Sequence, residues 1–359
     1  MKRKILKAVI LSSMVLGLPL LGTALSGQTL SHYFEFPPRT MGLIRAPFSW
    51  WAFVGFCVLI GLCLTPFIVR AAGKPDSPPP FPDRSRPFPW WGWFGLTLAT
   101  GSWILAWSRF SWIGAFQAHT FTPLWVAYIL TANALTFRRT GRCPMVDRPG
   151  RFLLLFPASA AFWWYFEYLN RFVQNWQYAG VQFGPLEYFL YATLSFSTVL
   201  PAFTSTQQWL LSFPFLRRHY AHFFPMKVYH AGRWRVIALG AAVAGLTGIG
   251  IFPQQFFALV WISPLLLLLS LQGLSAETTL LSPLARGDWT GFVSASLAAL
   301  ICGCFWEMWN VYSLAKWTYQ VPFVQRFHLF EMPILGYAGY LPFGLICAAI
   351  SKMVLGDRT

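Results

Sequence analysis

Four glutamates occupy strongly apolar stretches of the chain: Glu167, Glu187, Glu307 and Glu331. The chain has only 11 acidic residues, and the others lie between the apolar stretches or near the chain end. An ionised side chain at the centre of a bilayer costs about 2.5–3.5 kcal/mol on insertion scales, so a carboxyl group there is protonated, paired or in contact with a polar cavity. These four residues are therefore candidates for acid–base chemistry, in which one carboxyl group donates a proton and another removes one.

The glutamates belong to two segments in which the same motifs follow in the same order: Glu-x-x-Asn, then Trp-x-Tyr, then a second Glu. The first segment contains Glu167, Asn170, Trp176, Tyr178 and Glu187. The second segment contains Glu307, Asn310, Trp317, Tyr319 and Glu331. A Glu and an Asn three residues apart lie on one face of a helix. We predict that the four glutamates are catalytic and that the Asn, Trp and Tyr residues bind the substrate, although the same residues also suit hydrogen bonding between helices.

The elements that carry these residues are predicted to be membrane-spanning helices. Of the 359 residues, 56% are apolar and 11% are charged, whereas about 25% are charged in a soluble domain. Ten stretches approach the length of about 20 apolar residues that a spanning helix needs. They are 5–24, 47–69, 91–107, 119–137, 152–171, 186–207, 236–254, 256–274, 290–308 and 328–352. The first also fits a cleaved secretory signal, although its length favours an uncleaved helix.

The basic residues predict the orientation of these helices. With the N-terminus in the cytoplasm, the outer loops hold only six of the 27 Lys and Arg residues: Arg39, Arg45, Arg109, Arg171, Lys316 and Arg326. This asymmetry follows the positive-inside rule and predicts a multi-pass protein of a bacterial-type inner membrane with both termini in the cytoplasm. A Pro-rich stretch over 73–89 is then a cytoplasmic linker. We assign the net charge of +16 to orientation and to contacts with anionic membrane lipids, and not to nucleic acid binding.

Each motif-bearing segment is predicted to form a helix, an outer loop and a second helix that returns across the membrane. We therefore expect duplicated helical hairpins over about 152–207 and 290–352 within a single all-α transmembrane domain, 1–359. A degenerate third copy over 91–137 is indicated by Trp112 and by 121–125, where Trp stands in place of Glu. If the copies pack around a pseudo-two-fold axis, the four carboxyl groups face one central cavity near the outer side.

At these motifs the chain resembles the lycopene cyclase domain of the small integral membrane carotenoid cyclases. That family repeats a hairpin with an acidic residue after an aromatic one, a Trp-x-Tyr-like loop and a Pro-[Ile/Leu]-Glu-Glu motif. Trp176-Gln177-Tyr178 and Pro185-Leu186-Glu187 match the hairpin, and Trp306-Glu307 matches the aromatic–acid step. The likeness covers roughly 160–205 and 300–345. It departs from the family at Tyr188, which replaces the second Glu, and at Met332-Pro333 after Glu331.

The resemblance implies a cofactor-free cyclisation of an isoprenoid or carotenoid-like substrate, which is an isomerase or intramolecular lyase reaction. A carboxylic acid protonates a polyene, the carbocation cyclises, and a carboxylate removes a proton. Glu187 and Glu331 would correspond to the glutamates of the Pro-[Ile/Leu]-Glu-Glu motif, and Glu167 and Glu307 to the acids at the helix ends. The acid and the base are not assigned, because their environments decide these roles. Nearby aromatic rings would stabilise the cation by their π faces.

Two other functions remain open from the residues alone. A lipid, quinone or proton-coupled carrier would use the glutamates as a proton relay or as substrate ligands. A carboxylate–histidine metal enzyme would use His328 and Glu331, three residues apart on a predicted helix, with His119 from the third copy. We expect no metal, because the di-iron pattern requires Glu-x-x-His twice. A Mg²⁺-dependent prenyltransferase is excluded, since no Asp lies in an apolar stretch.

Overall fold

The computed structural model describes residues 2–38, 45–76, 86–227, 229 and 231–356. It is 72% helical, which confirms the all-α class. The helices are α1 Lys2–Leu25, α2 Trp50–Ala72, α3 Trp90–Trp107, α4 Phe121–Thr140, α5 Pro144–Asp147, α6 Pro149–Val173, α7 Pro185–Phe196, α8 Val199–Leu211, α9 Pro214–Tyr220, α10 Ala231–Ile251, α11 Leu259–Leu274, α12 Thr290–Val311 and α13 Tyr340–Leu355.

Four helical stretches are long and apolar enough to cross a membrane. They are Trp50–Ala72, Ala231–Ile251, Thr290–Val311 and Ile334–Leu355, the last of which joins a 3-10 helix to α13. Helices also lie over the remaining predicted stretches, but these are shorter or less apolar. The Pro-rich linker predicted over 73–89 falls between α2 and α3, and its residues 77–85 lie outside the described residues.

Two of the predicted stretches are not continuous α-helices in the structure. The stretch 186–207 is divided into α7 and α8 because the hydroxyl groups of Ser197 and Thr198 donate to the carbonyls of Leu194 and Ser195, and Pro201 has no N–H to continue the helix. The stretch 328–352 does not start as a helix. It starts as a hairpin of β3 His328–Leu329 and β4 Met332–Pro333, followed by the 3-10 helix Ile334–Gly339.

Helix α8 forms the centre of the bundle. Every residue from Val199 to Thr206 is buried, and α4, α6, α12 and α13 surround it. Its hydroxyl groups bond to the neighbouring helices, with Thr204 Oγ1 at 3.1 Å from Ser351 Oγ and Thr206 Oγ1 at 2.8 Å from the Tyr128 hydroxyl. Such interhelical hydrogen bonds hold helices together where the surroundings are apolar.

Two short strands join the ends of α6 and α12. Strand β1, Trp176–Ala179, pairs antiparallel with β2, Lys316–Tyr319. Trp176 lies opposite Tyr319 and Tyr178 lies opposite Trp317, so the Trp-x-Tyr motifs pair with each other about a local two-fold axis. We call this end of the bundle the strand end. It brings together the two segments that the sequence analysis singled out.

Candidate functional site at the strand end

A cavity of about 820 Å³ lies at the strand end. Its wall includes both strands, the last turns of α6, the first turns of α4, the length of α7, and the 3-10 helix before α13. Aromatic side chains form much of the wall: Phe121, Trp163, Trp176, Tyr178, Phe183, Tyr188, Tyr191, Phe196, Trp261, Trp306, Trp317, Tyr319 and Tyr340. A cavity of this size and composition suits a large, mainly apolar molecule.

Glu167 is the only one of the four predicted glutamates that lines this cavity. It is 4% exposed, and its Oε1 accepts hydrogen bonds from Trp163 Nε1 (3.1 Å), Trp176 Nε1 (3.0 Å) and the Tyr178 hydroxyl (2.6 Å). Its Oε2 makes no hydrogen bond to any described residue. One oxygen is thus fixed by three donors, while the other is free to meet a bound molecule.

The asparagines of both motifs fix the strands to the helices. Asn170 donates to the carbonyl of Trp176 (2.7 Å) and accepts from its N–H (3.3 Å). Asn310 does the same for Trp317, at 2.7 and 2.8 Å. Asn310 itself does not line the cavity, although Trp317 does. Both asparagines therefore position an aromatic residue, and only Asn170 also lines the cavity.

Glu307 lies behind the cavity wall. It is fully buried, and its Oε1 accepts from the hydroxyls of Tyr319 (2.6 Å) and Tyr340 (2.9 Å), both of which line the cavity. Trp317 Nε1 donates to the Tyr319 hydroxyl at 2.8 Å. The second oxygen, Oε2, is buried without a hydrogen-bond partner. Glu307 can therefore reach a molecule in the cavity only through these two tyrosines.

The two carboxyl sites differ in the strand tryptophan, which donates to Glu167 in one site and to Tyr319 in the other, and in the residue one helical turn before the glutamate. Trp163 lies one helical turn before Glu167, and Gly303 lies one helical turn before Glu307. A Cβ atom at Gly303 would lie 2.4 Å from the ring of Tyr340. Tyr340 thus occupies the space that a side chain at Gly303 would need, and its hydroxyl provides the donor that Trp163 provides in the other site.

Burial keeps the strand tyrosines in their protonated form. Tyr178 is 42% exposed, but its hydroxyl bonds to the buried Glu167 carboxyl, and desolvation there and the nearby carboxyl both raise the pKa of Tyr178 above its usual value. Burial and the Glu307 carboxyl raise the pKa of Tyr319 in the same way. Both hydroxyls therefore remain hydrogen-bond donors to the carboxyl groups throughout the physiological pH range.

The expectation that four carboxyl groups share one cavity is wrong for Glu187. This residue is exposed and lies in the first turn of α7, where its Oε2 accepts from the backbone N–H of Gly184 at 3.4 Å. A carboxylate at this position satisfies an otherwise unpaired amide and interacts favourably with the helix dipole. The Pro185-Leu186-Glu187 motif thus starts a helix and does not place its carboxyl group in the cavity.

The expectation is also wrong for Glu331. It lies in the turn between β3 and β4 and not at the start of a helix. Its Oε1 forms an ion pair of 2.6 Å with Lys316 Nζ, and the Glu331 side chain is 24% exposed. Because the hairpin replaces the predicted helix, the side chain points to β2. Lys316 lines the cavity, but Glu331 does not.

The proposed histidine–carboxylate metal set does not come together. His328 is in a strand and its Nε2 lies 3.1 Å from Gln325 Nε2, and Glu331 is paired with Lys316. Among the described residues, no group of three or more His, Cys, Asp or Glu side chains is arranged to hold a metal ion. The donor set on these residues therefore does not fit a metal centre.

Several residues of the cavity have no counterpart in the sequence prediction. Trp163 was detectable, because it lies four residues before Glu167 and shares its helix face. Arg171 was detectable for the same reason, since it lies four residues after Glu167, whereas Tyr340 and Tyr188 have no such signal because their place in the wall depends on how α6, α7 and α13 meet. Comparisons of the chain with protein-family models, curated proteins and solved structures gave no match.

Proposed function

We propose that the protein is a membrane-embedded acid–base enzyme acting on an isoprenoid, a carotenoid-like molecule or another long unsaturated lipid, with Glu167 as the proton donor. One observation carries this proposal. A single carboxyl group lies on the wall of a cavity of about 820 Å³ that is otherwise mainly aromatic. Its Oε1 is held by three donors, and its Oε2 has no hydrogen-bond partner among the described residues. This is the arrangement that proton transfer to an apolar substrate requires.

The proposed reaction is a proton-initiated cyclisation. The Oε2 proton of Glu167 is transferred to one carbon of a double bond, the π electrons form the new C–H bond, and the neighbouring carbon becomes a carbocation. A second double bond attacks this carbon and closes a ring. A proton then leaves from the carbon next to the new cation, which restores a double bond. Proton gain and loss balance, so the reaction requires neither a redox cofactor nor a metal.

The surroundings of Glu167 favour both halves of this reaction. Three donors on Oε1 stabilise the carboxylate that remains after the proton has left, and fixed donors of this kind are an effective source of transition-state stabilisation. The rings of Trp176, Trp261 and Trp306 line the cavity, and their π faces stabilise a carbocation. The departing proton returns to Glu167 or passes through the Tyr340 hydroxyl to Glu307.

We further infer that the bundle crosses the membrane ten times, with the strand end facing the outside of a bacterial-type inner membrane and both termini in the cytoplasm. The basic residues support this orientation, since Arg138 and Arg139 end α4 at the opposite side of the bundle from β1 and β2. The paired Trp-x-Tyr strands and the two equivalent Asn contacts support a duplication of the hairpins.

An enzyme or a binding protein accounts for the packing better than a carrier. A carrier needs a path from the cavity to the other side of the membrane. The centre of the bundle is instead packed around α8, with Thr204 bonded to Ser351 and Thr206 in contact with Tyr128 and Cys302. The cavity walls come from the strand end alone, which favours a site that is entered from one side.

The test compares Glu167→Gln with Glu187→Gln. Both replace a carboxylate with an amide of the same shape, but only Glu167 lines the cavity. Cells that make the wild-type protein or one of the variants are extracted, and the isoprenoids and other lipids are compared by mass spectrometry at matched protein levels in the membrane. We expect Glu167→Gln to lower the protein-dependent product by about 10²-fold or more and Glu187→Gln to leave it unchanged. An unchanged product with Glu167→Gln would refute the proposal.

A further inference from the structure

The polar part of the cavity wall lies around Arg171, one helical turn after Glu167 on α6. Arg171 Nη1 donates to the backbone carbonyls of Tyr33 (2.8 Å) and Glu35 (2.6 Å), which fixes the guanidinium at the wall. Its Nε and Nη2 groups make no hydrogen bond to a described residue. Among those residues, no carboxylate comes within ion-pair distance of Arg171. The cavity therefore contains a fixed cation with unused donors.

Three more polar atoms of the cavity-lining residues are buried and have no partner among the described residues. They are His32 Nε2, Gln174 Oε1 and the Tyr188 hydroxyl oxygen. Buried polar groups in native proteins nearly always have a hydrogen-bond partner, because leaving one unpaired costs folding free energy. Two of these atoms can donate, namely His32 Nε2 and the Tyr188 hydroxyl, and together with the unused donors of Arg171 they indicate that an acceptor on a ligand provides the missing partner.

These residues form one patch, which we call the head-group patch: His32, Arg171, Gln174 and Tyr188. His32 precedes Tyr33, whose carbonyl binds Arg171, and its ring lies 3.9 Å from the Tyr33 ring. Gln174 follows Arg171 by three residues at the end of α6. Tyr188 on α7 is close enough to Arg171 for each to affect the ionisation of the other. The patch therefore surrounds a single region of the cavity wall.

The charges of the cavity leave this patch positive. Lys316 is the other cation of the wall, and its ion pair with Glu331 neutralises it. Under the proposed function, Glu167 carries a proton before the reaction and is neutral. Arg171 then has no ionised partner among the described residues, so an anion bound beside it would provide its counterion.

We propose that the head-group patch binds the anionic end, a carboxylate or a phosphate, of a long unsaturated amphiphile. The anion accepts hydrogen bonds from Arg171, from the Tyr188 hydroxyl and from His32 Nε2–H. Arg171 and Glu167 lie on one face of α6, so the chain of the amphiphile extends from the patch along the aromatic wall to the carboxyl group. This inference rests on the proposed function, because it names the substrate class of the same site.

The test uses three retinoids that share one polyene and differ at its end: retinol, retinoic acid and retinyl phosphate. Binding to the full-length protein in nanodiscs of zwitterionic phosphatidylcholine is measured by quenching of tryptophan fluorescence. Tyr188→Phe is compared with Tyr165→Phe, since both remove a buried hydroxyl without a partner but Tyr165 does not line the cavity. Arg171→Gln is compared with Arg109→Gln, because Arg109 also binds backbone carbonyls at the strand end.

We expect wild-type protein to bind at least one of the two anionic retinoids about tenfold or more tightly than retinol, and the tighter of the two identifies the anion. A hydrogen bond to a charged group is worth a factor of about 10–100 in binding. Arg171→Gln should therefore lower the affinity for the anion by about that factor and leave retinol binding unchanged. Tyr188→Phe should lower the affinity for the anion several-fold, and both control variants should bind as wild type does.

Equal affinity of wild-type protein for the three retinoids would overturn the inference, as would an equal loss of retinol and anion binding in Tyr188→Phe. If Arg171→Gln does not fold, Tyr188→Phe still tests the inference. It removes only an oxygen atom that has no hydrogen-bond partner among the described residues. Glu167→Gln separates this inference from the proposed function, because it should abolish product formation and keep the preference for the anion. If Glu167→Gln instead loses the preference for the anion and forms an unchanged amount of product, the roles assigned to Glu167 and to the head-group patch are both refuted.

Discussion

Replacement of Asn170 by Ala tests the part of the fold that places Glu167. The side chain makes two hydrogen bonds to the backbone of Trp176, at 2.7 and 3.3 Å, and it is 9% exposed. The substitution leaves a buried N–H and a buried carbonyl without partners. Each orphaned group costs about 1–3 kcal/mol, so we expect the free energy of unfolding to fall by about 2–6 kcal/mol. Since Trp176 also donates to Glu167, the carboxyl group loses its fixed position.

The assay is equilibrium unfolding of purified protein in mixed micelles with increasing SDS, followed by tryptophan fluorescence. Asn175→Ala is the matched control in the same loop, because its amide makes only one hydrogen bond, to the Phe257 carbonyl at 3.2 Å. We expect Asn310→Ala to cost as much as Asn170→Ala, since its bonds to Trp317 are equivalent. A loss below about 1 kcal/mol for Asn170→Ala, or an equal loss for Asn175→Ala, contradicts the view that the asparagines fix the strands.

Three further predictions concern neighbouring features. Gly303→Ala places a Cβ atom 2.4 Å from the Tyr340 ring and should destabilise the protein by about 1–3 kcal/mol in the same unfolding assay. Gly291→Ala should not, because a Cβ atom there meets no atom within 4 Å outside its own helix backbone and its chain neighbours. Lys316→Gln removes a partly exposed ion pair, so it should cost less than about 1 kcal/mol, and high salt should reduce the cost. Burial raises the pKa of Tyr178 in the folded state, so the stability that this proton contributes is present below about pH 10 and is lost above it. Tyr178→Phe should therefore weaken the decline of stability at alkaline pH, and a decline of the same slope would contradict this.

The all-α class was predictable from the sequence because it depends on local patterns. Apolar runs of about 20 residues define helices in a membrane without knowledge of the tertiary structure. The order Glu-x-x-Asn, Trp-x-Tyr also pointed to a local cluster of residues. Glu167 and Asn170 lie on one helix face, and both bond to Trp176 in the segment that follows their helix. The hydrogen bonds of Glu167 to Trp176 and Tyr178 link the motif residues within one copy.

The sequence misled at Glu187 and Glu331 because a glutamate before an apolar run has several uses. Glu187 caps the start of α7, which is the ordinary role of Glu in a first helical turn. Glu331 follows Phe330, which has a positive φ of 58°, and the resulting turn directs its carboxylate to Lys316. The strands on either side determine a backbone turn of this kind. No residue pattern in this apolar stretch predicts the turn.

The environments of Glu167 and Glu307 differ, although both carboxyl groups accept hydrogen bonds from aromatic side chains. The local two-fold axis of β1 and β2 relates the two carboxyl groups, and each has an aromatic donor set. Tyr340 packs over Gly303 and seals Glu307 behind the wall, whereas no residue covers Glu167 in the same way. If Glu167 were the sealed residue, the cavity would lack a carboxyl group at its surface. Under the proposed function, Gly303 and Tyr340 leave Glu167 as the carboxyl group that meets the substrate, and Glu307 acts through the Tyr340 hydroxyl.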